Sequence, residues 1–329
     1  MGAPFWPLSM GEPAPAAVTT EALAEAWKGH IPTVFTLAPD EVATLEKPRP
    51  FHACLPRQAL LPLAIDAARA HFEKFAPPIG GEMWFEYADE PLRWQLPVGV
   101  LFDLMVGEDD GEALPWEVTV HFQRFPQEAV LRATGTEAEA VLLNALKESC
   151  WLRCGSAMPA MTLTPDKQSC LAAAIRDSDV GGFTEVRELI DAGCAAQLEA
   201  NSRAVRHVPV RVLTSPTSWR QAPMRPAPKP AAAAPAAAPA EGAGAAGAEP
   251  TPAILRHALH SLLPAHFAAL DADADAAAAE PRVLVQGVRV PLDTPLDWLW
   301  EACAHPDGWL YVGADLPPEK RAAAAVDAS

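Results

Sequence analysis

Two cysteines one helical turn apart, Cys150 and Cys154, are the first residues whose type and spacing could do chemistry. A cysteine thiolate acts as a nucleophile when a base such as histidine lies within hydrogen-bond reach. No histidine is near this pair in the sequence, although one from a distant segment could approach it in the fold. The pattern therefore favours small buried or half-buried thiols over a catalytic pair.

Histidines and aspartates near the C-terminal third have spacings that metal sites use. His257 and His260 lie three apart on a predicted helix and His266 follows, but no cysteine or acidic cluster completes a zinc ligand set. The alternating aspartates of 271–275 precede Ala276, where a calcium loop needs glycine. We therefore expect no metal and no cofactor.

Composition sets the class of protein. The 329 residues are 50% hydrophobic, which is enough for two or three domains. Lys and Arg total 25 against 42 Asp and Glu, a net charge of −17 that opposes nucleic-acid binding and general adhesion to anionic membranes. Six cysteines without paired spacing indicate reduced thiols, and we expect a cytoplasmic protein.

The first block of elements, residues 30–126, has the order strand, strand, helix, strand, short helix, strand. Strands are predicted at 33–37, 51–55, 83–87 and 116–122, and the last alternates apolar and polar residues. A short apolar helix is expected within 91–105. Between the second and third strands, one helical face is predicted to carry Leu61, Ile65, Ala68, Phe72 and Phe75. This order is that of the β-grasp, or ubiquitin fold.

A later block, 203–316, repeats this order. The segment 207–214, HVPVRVLT, parallels 30–37, HIPTVFTL. It is followed by a helix capped by Thr251, a strand at 282–286, an apolar helix at 295–303 and a strand at 309–312. Residues 222–252 consist mainly of Ala, Pro and Gly, and we expect a disordered insertion there and a disordered tail at 317–329. Residues 1–29 are expected to form an N-terminal extension with a helix.

The middle block, 127–202, is predicted to be a helical domain. Helix starts are expected at Thr164 and Thr184, and a stop at Gly193. The first long helix should bury one stripe of side chains: Ala138, Leu142, Ala145, Ser149 and Leu152. Lys147 lies two residues from the nearest stripe positions on either side, so it should point away from the stripe and into solvent.

Lys147 is a candidate acceptor rather than a catalyst. Ubiquitin-like domains ordinarily act by conjugation through a free C-terminal glycine, and this chain ends Val326-Asp327-Ala328-Ser329. If the protein belongs to a conjugation system, we expect it to be an acceptor or a scaffold, and an acceptor offers a lysine amine on an exposed surface. The pattern alone leaves open that Lys147 is simply a solvated lysine.

Several ordered motifs are similar to those of the autophagy protein 5 family. They cover residues 31–211 with gaps and then 283–312: Ile31-Pro32-Thr33, Leu55-Pro56-Arg57, WFEY at 84–87, PLRW at 91–94, PVGVLFDL at 97–104, LPWEVTVHF at 114–122 with Phe125-Pro126, VPVR at 208–211 and TPLDWL at 294–299. The resemblance implies an α+β protein in which two ubiquitin-like β-grasp domains flank a helical domain.

The resemblance also implies a function and a site. In this family a lysine in a Met-Lys-Glu-Ala pattern on the first long helix of the helical domain receives the C-terminal glycine of the ubiquitin-like autophagy protein 12. The matching residues are Leu146-Lys147-Glu148-Ser149, which makes Lys147 the isopeptide acceptor. Cys150 stands where the family has an acid, and 151–170 matches poorly.

The implied partners follow from that attachment. The conjugate would bind the helical N-terminus of autophagy protein 16 non-covalently. It would then act like a ligase with the conjugating enzyme of autophagy protein 8, promoting transfer of that protein to phosphatidylethanolamine at the phagophore membrane. This chain would supply no catalytic residue of its own.

One basic stretch interrupts the acidic sequence. No Asp or Glu lies between Asn201 and Ala240, and the stretch contains Arg203, Arg206, Arg211, Arg220, Arg225 and Lys229. Our hypothesis is that it contacts anionic lipid or an acidic partner. The alternative is a solvated strand edge guarded by charge.

Two other functions remain open from the sequence. One is an interaction scaffold with two β-grasp domains and no covalent attachment. The other is a cysteine-dependent conjugating enzyme that forms a thioester at Cys150 or Cys54, which the lack of a neighbouring base disfavours.

Overall fold

The computed structural model describes residues 16–77, 82–106, 114–132, 135–201, 206–225, 253–267 and 282–315. A helix, α1 (Ala16–Trp27), precedes the first domain. That domain contains β1 (His30–Leu37), β2 (Phe51–Pro56), α2 (Leu61–Ala64), α3 (Asp66–Phe72), β3 (Trp84–Tyr87), β4 (Glu90–Pro91), α4 (Val98–Met105) and β5 (Trp116–His121).

The first sheet has the strand order β2-β1-β5-β3-β4, with β1 and β5 parallel and the other neighbours antiparallel. This is the β-grasp order that the sequence predicts. Trp116, Val118 and Val120 are fully buried, and Glu117 between them is exposed. The alternation in the sequence thus corresponds to one buried face of a strand.

The prediction of one continuous helix after β2 is wrong, because the structure has two helices there. The backbone breaks at Ile65, whose φ of −120° and ψ of 10° are not helical, so the segment forms α2 and then α3. Leu61, Ile65, Ala68 and Phe72 are all buried despite the break, whereas Phe75 is half-buried beyond the end of α3. The apolar spacing therefore identified the core residues and not the continuity of the helix.

The second ubiquitin-like domain has the same topology. It contains β6 (Val208–Ser215), β7 (Ser218–Met224), α9 (Leu255–Leu262), α10 (Pro264–Phe267), β8 (Arg282–Val285), β9 (Val288–Arg289), α11 (Leu296–Cys303) and β10 (Leu310–Asp315). Its strand order is β7-β6-β10-β8-β9, with β6 and β10 parallel. The predicted α+β architecture with two ubiquitin-like domains is therefore confirmed.

Strand β7 corrects the predicted boundary of the Ala/Pro insertion. Ala222, Pro223 and Met224, assigned to the insertion from the sequence, pair with β6 as the end of a strand. The strand lies at the edge of the sheet, where a proline costs no ladder hydrogen bond. The insertion therefore begins no earlier than Arg225. Residues 226–252 lie outside the described residues, as does the tail. The predicted cap at Thr251 is wrong, because α9 begins at Leu255 with Ile254 as its N-cap residue.

The helical domain contains α5 (Gly135–Cys154), α6 (Met158–Met161), α7 (Pro165–Asp177) and α8 (Val180–Ala200). The predicted start at Thr164 is confirmed, since its hydroxyl accepts a hydrogen bond from the backbone N–H of Lys167. The start at Thr184 is wrong. The cap of α8 is Asp179, whose carboxylate accepts from the N–H of Gly181 at 3.0 Å.

Gly193 does not end α8, as was predicted. The helix continues for seven residues, and a Cβ at this position would lie 3.0 Å from the Cβ of Pro159 in α6. The missing side chain lets the two helices approach closely, so this glycine serves packing rather than termination.

The buried stripe of α5 is shifted from the predicted one. Ala138, Leu142 and Ser149 are buried as expected, but Ala145 and Leu152 are only half-buried. The side chains that complete the stripe are Leu146, Cys150, Arg153 and Cys154. Because the stripe includes Leu146, Lys147 lies nearer to its edge than the sequence suggested.

Two hydrophobic cores divide the molecule. The larger joins α1, the first ubiquitin-like domain and the helical domain, and it includes Leu213, Trp309 and Tyr311 of the second ubiquitin-like domain. The smaller lies within the second ubiquitin-like domain. None of the described helices has the length and apolar character needed to span a membrane.

Candidate functional site

Lys147 lies on α5 at the border between its buried and exposed faces. Its side chain is half-buried, and its ammonium donates to the side-chain oxygen of Asn144 at 3.4 Å. Within the described ranges of the chain, no carboxylate lies within 4.0 Å of this ammonium. One helical turn later, Trp151 is 60% exposed. Among the described residues, the hydrogen-bond partner of the amine is thus a neutral group.

The residues on both sides of Lys147 are held by the second ubiquitin-like domain. We call the four residues that hold them the α5 clamp: Arg211, Gln221, Gly308 and Trp309. The indole N–H of Trp309 donates to the backbone carbonyl of Ala145 at 3.2 Å. Gly308, with a φ of 81°, packs so tightly on Ser149 that a Cβ would lie 2.4 Å from its hydroxyl oxygen.

Glu148, the next residue after Lys147, is the polar anchor point of the α5 clamp. Its carboxylate accepts from the guanidinium of Arg211 at 3.5 Å and from the side-chain amide of Gln221 at 3.0 Å. The Arg211 guanidinium also stacks on the ring of Trp309, 4.1 Å from its centroid. The clamp therefore combines planar stacking with two hydrogen bonds on one carboxylate.

The buried pair Tyr311 and Asp307 supports the Arg211 side chain of the α5 clamp. Arg211 donates to the hydroxyl of Tyr311 at 3.1 Å, and that hydroxyl donates to the carboxylate of Asp307 at 2.6 Å. Burial raises the pKa of Tyr311 well above its usual value, reinforced by the Asp307 charge, so the phenol stays protonated at neutral pH. Burial also raises the pKa of Asp307, against the hydrogen bond from Tyr311 and the charge of Arg211.

The cysteines of α5 form a closed thiol cluster with α8. Cys150, Cys154 and Cys194 are 0%, 2% and 4% exposed. A hydrogen bond from Cys194 lowers the pKa of Cys150, whereas burial raises the pKa of Cys154 to about 11. A thioester with another protein needs a thiol open to the outside, and Cys150 is not.

Cys54, the other thiol considered from the sequence, is exposed on β2. Among the described residues, no hydrogen bond or ion pair joins it to a histidine. In the described part of the chain, neither Cys54 nor Cys150 is therefore bonded to a histidine that could act as its base.

The histidines that resembled a metal site have other roles. The His257 ring accepts from the backbone N–H of Ile254 at 3.4 Å, which caps α9, and the His260 ring packs against Phe267. In the described ranges, no group of three or more His, Cys, Asp or Glu could hold a metal ion. The side chain of His266 and residues 271–275 lie outside those ranges.

The described arginines of the basic stretch do not form one continuous exposed surface. Arg211 belongs to the α5 clamp, and its side chain is only 13% exposed. Arg206 pairs with Glu301 at 3.4 Å and lies over the ring of Trp300. Arg220 is half-buried on β7, and Arg225 is exposed. Arg203 and Lys229 lie outside the described residues.

A cavity of about 450 Å³ opens where α1, α8 and α11 meet. Its lining mixes apolar and charged side chains, among them Leu23, Arg187, Ala195, Leu198 and Trp300. This cavity could not be predicted from the sequence, because these residues come from three distant segments. A pocket of this size and character can take apolar and charged side chains of a bound segment.

Family models match both sheet domains. Residues 26–122 match the model described as "Autophagy protein ATG5, UblA domain", and residues 207–313 match "Autophagy protein ATG5, UblB domain". The two matches coincide with the two β-grasp sheets.

Curated relatives match most of the chain. Autophagy protein 5 of Neosartorya fischeri is 30% identical over 318 residues, covering 87% of this chain and 92% of the relative. Autophagy protein 5 of Aspergillus fumigatus is 29% identical over 314 residues, with the same coverage. The crystal structure of Kluyveromyces marxianus Atg5 superposes with a TM-score of 0.65 at 21% identity, covering 90% of this chain and all of that one.

Proposed function

This chain belongs to the autophagy protein 5 family and acts in autophagy, and we propose that its specific role is to receive autophagy protein 12 on Lys147. The observation that carries the proposal is the placement of this lysine. Lys147 occupies the position that matches the family's acceptor, on a helical turn whose other residues are held by the α5 clamp. Its ammonium has no carboxylate partner in the described ranges.

The chemistry asked of Lys147 is a nucleophilic acyl transfer. After losing a proton, the ε-amine attacks the carbonyl carbon of the modifier's C-terminal glycine, which is held as a thioester on the conjugating enzyme. The new C–N bond forms, the C–S bond breaks and the thiolate leaves. The conjugating enzyme supplies the activated carbonyl, and this chain supplies a nucleophile held in position, which raises its effective concentration. We propose that it has no catalytic residue.

Once attached, the modifier and this chain would form one surface. We propose that the conjugate binds the helical N-terminus of autophagy protein 16 and promotes transfer of autophagy protein 8 from its conjugating enzyme to phosphatidylethanolamine. Two tethered folds can combine weak contacts into tight binding without any new contact. The cavity between α1, α8 and α11 is our candidate site for the autophagy protein 16 segment because of its size and mixed lining.

Membrane recruitment is the remaining part of the proposal. We place the protein in the cytoplasm with transient, peripheral contact at the phagophore membrane. Arg206 and Arg211 are engaged within the protein, so we propose that the exposed Arg225 is the described member of the basic stretch that meets anionic lipid. Flotation of Arg225→Glu with anionic vesicles tests this, and unchanged flotation would remove the idea.

One observation favours the non-covalent scaffold as the second candidate. Lys147 is half-buried, whereas an acceptor is more reactive when fully open to solvent. A scaffold would keep both ubiquitin-like domains and the cavity without using this amine.

Reconstitution separates the two functions. The full chain is incubated with ATP, the activating and conjugating enzymes and autophagy protein 12, and products are resolved on a denaturing gel. We expect a higher-mass product with the wild type and with Lys167→Arg, a lysine of α7 paired with Glu185. The product should be lost with Lys147→Arg. A product that persists in Lys147→Arg, or that never forms in the wild type, would overturn the acceptor function.

A further inference from the structure

The carboxylate of Glu148, the residue after the proposed acceptor Lys147, is held by two hydrogen bonds although it lies at the surface. The Glu148 side chain is 45% exposed, yet one oxygen accepts from Gln221 and the other from Arg211. Exposed glutamates ordinarily sample many rotamers, because holding one in place costs side-chain entropy. Two donors from a different domain on this one carboxylate therefore fix the turn of α5 that carries Lys147.

Arg211 is itself a rigid anchor. Its side chain is 13% exposed, and the guanidinium lies 4.1 Å from the ring centroid of Trp309 and 5.4 Å from that of Tyr311. The hydrogen bond to Tyr311, and that of Tyr311 to buried Asp307, remove its remaining freedom. Through Arg211, together with the other residues of the α5 clamp, the second ubiquitin-like domain is thus linked to the acceptor turn.

We propose that Arg211 is a positioning residue for the transfer to Lys147. It acts through Glu148: by holding that carboxylate, it sets the rotation of the acceptor turn. The inference rests on the proposed acceptor function and adds the second ubiquitin-like domain to it.

The alternative is that Arg211 merely joins two domains. Other contacts already hold the second ubiquitin-like domain to the rest of the protein, away from α5. The side-chain amide of Gln58 donates to that of Gln286 at 3.0 Å, and Arg187 of α8 donates to the backbone carbonyl of Glu301 at 2.8 Å. Removal of Arg211 should therefore leave the domains docked and alter only the acceptor turn.

Steady-state conjugation kinetics distinguish the two roles. Initial rates are measured for the full chain against the concentration of conjugating enzyme charged with autophagy protein 12. For Arg211→Gln we expect kcat to fall about tenfold with KM within about twofold of wild type, because positioning is lost while the docking surface remains. Arg211→Lys keeps the charge but not the planar stack, so it should restore part of the loss.

Two further variants complete the test. Gln58→Ala, which removes an inter-domain hydrogen bond away from α5, should leave kcat unchanged. If Arg211→Gln does not fold, Gln221→Ala removes the other donor to Glu148 from an exposed position and should lower kcat about threefold.

An unchanged kcat in Arg211→Gln, or in Gln221→Ala where that variant replaces it, would overturn the inference. An equal loss in Gln58→Ala would also overturn it, because general loosening of the domains would then explain the effect. Failure of the acceptor function itself gives a different result, since Lys147→Arg would then retain the wild-type rate.

Discussion

At the residue scale, His305 couples stability to pH. It is 2% exposed in the second ubiquitin-like domain, near the side-chain amide of Gln286 and edge-on to the ring of Tyr311. Burial, with a smaller contribution from the charge of Arg57, lowers its pKa to about 3. The imidazole is therefore neutral in the folded protein under all ordinary conditions.

This predicts a loss of stability in mild acid. Between pH 6.5, near the pKa of an unfolded histidine, and pH 3, the unfolded chain binds a proton that the folded chain excludes. The free energy of unfolding should fall by about 1.4 kcal/mol per pH unit from this residue alone. Urea unfolding at pH 7, 6 and 5 should show a shallower fall for His305→Gln. Equal slopes for the two proteins would contradict the assignment.

Two glycines give a matched test of the α5 clamp at the same scale. Gly308 and Gly155 have similar backbones, with φ of 81° and 75°, but a Cβ at Gly155 meets nothing within 4 Å. Gly155→Ala should cost about 1 kcal/mol for the left-handed backbone alone. Gly308→Ala should cost roughly 3 kcal/mol because the methyl group also collides with Ser149. Unfolding in urea measures both, and equal losses would show that the contact is loose.

At the element scale, the cavity beside α8 can be filled by substituting a residue that belongs to neither hydrophobic core. Ala195 lines the cavity and is exposed, and its neighbour Ala196 is exposed but does not line it. Ala195→Trp should weaken binding of an N-terminal peptide of autophagy protein 16 at least tenfold, about 1.4 kcal/mol, by occupying the space. Isothermal titration calorimetry should show no such effect for Ala196→Trp. Wild-type affinity in both variants would remove the cavity as the binding site.

The elements also show what the sequence can and cannot tell. Alternation identified β5, because one face of that strand is buried and the other is not. The same approach missed β7, whose residues alternate only between exposed and half-buried, and so assigned its end to the insertion. The sequence predicts that Gly193 ends the helix. The close approach of Pro159, which explains this glycine, is a tertiary contact that the local sequence does not show.

At the scale of the whole molecule, a buried ion pair helps to join the two ubiquitin-like domains. Arg57 donates to the carboxylate of Asp103 at 2.5 Å, both in the first domain. The Arg57 guanidinium also packs on the turn at Gly287 of the second, where a Cβ would lie 2.7 Å from it. Burial raises the pKa of Asp103 despite the opposing charge of Arg57. This contact joins the second ubiquitin-like domain to the first, and the α5 clamp joins it to the helical domain.

The candidate site could be predicted only in part, because several of its contacts join distant segments of the chain. That Lys147 lies outside the buried stripe followed from its pattern on one helix, and its role as a candidate acceptor followed from the family motif. Its surroundings did not, because the contacts of Glu148 with Arg211 and of Ala145 with Trp309 join positions 63 and 164 residues apart. Sequence spacing carries no information on such contacts without the fold.

The most direct measurement is the mass-spectrometric mapping of the branched peptide in the wild-type conjugate. After digestion, the C-terminal glycine of autophagy protein 12 should be found in an isopeptide bond to the ε-nitrogen of Lys147, within the α5 peptide. A conjugate whose branch lies on another lysine, such as Lys28 or Lys167, with Lys147 unmodified, would contradict the account.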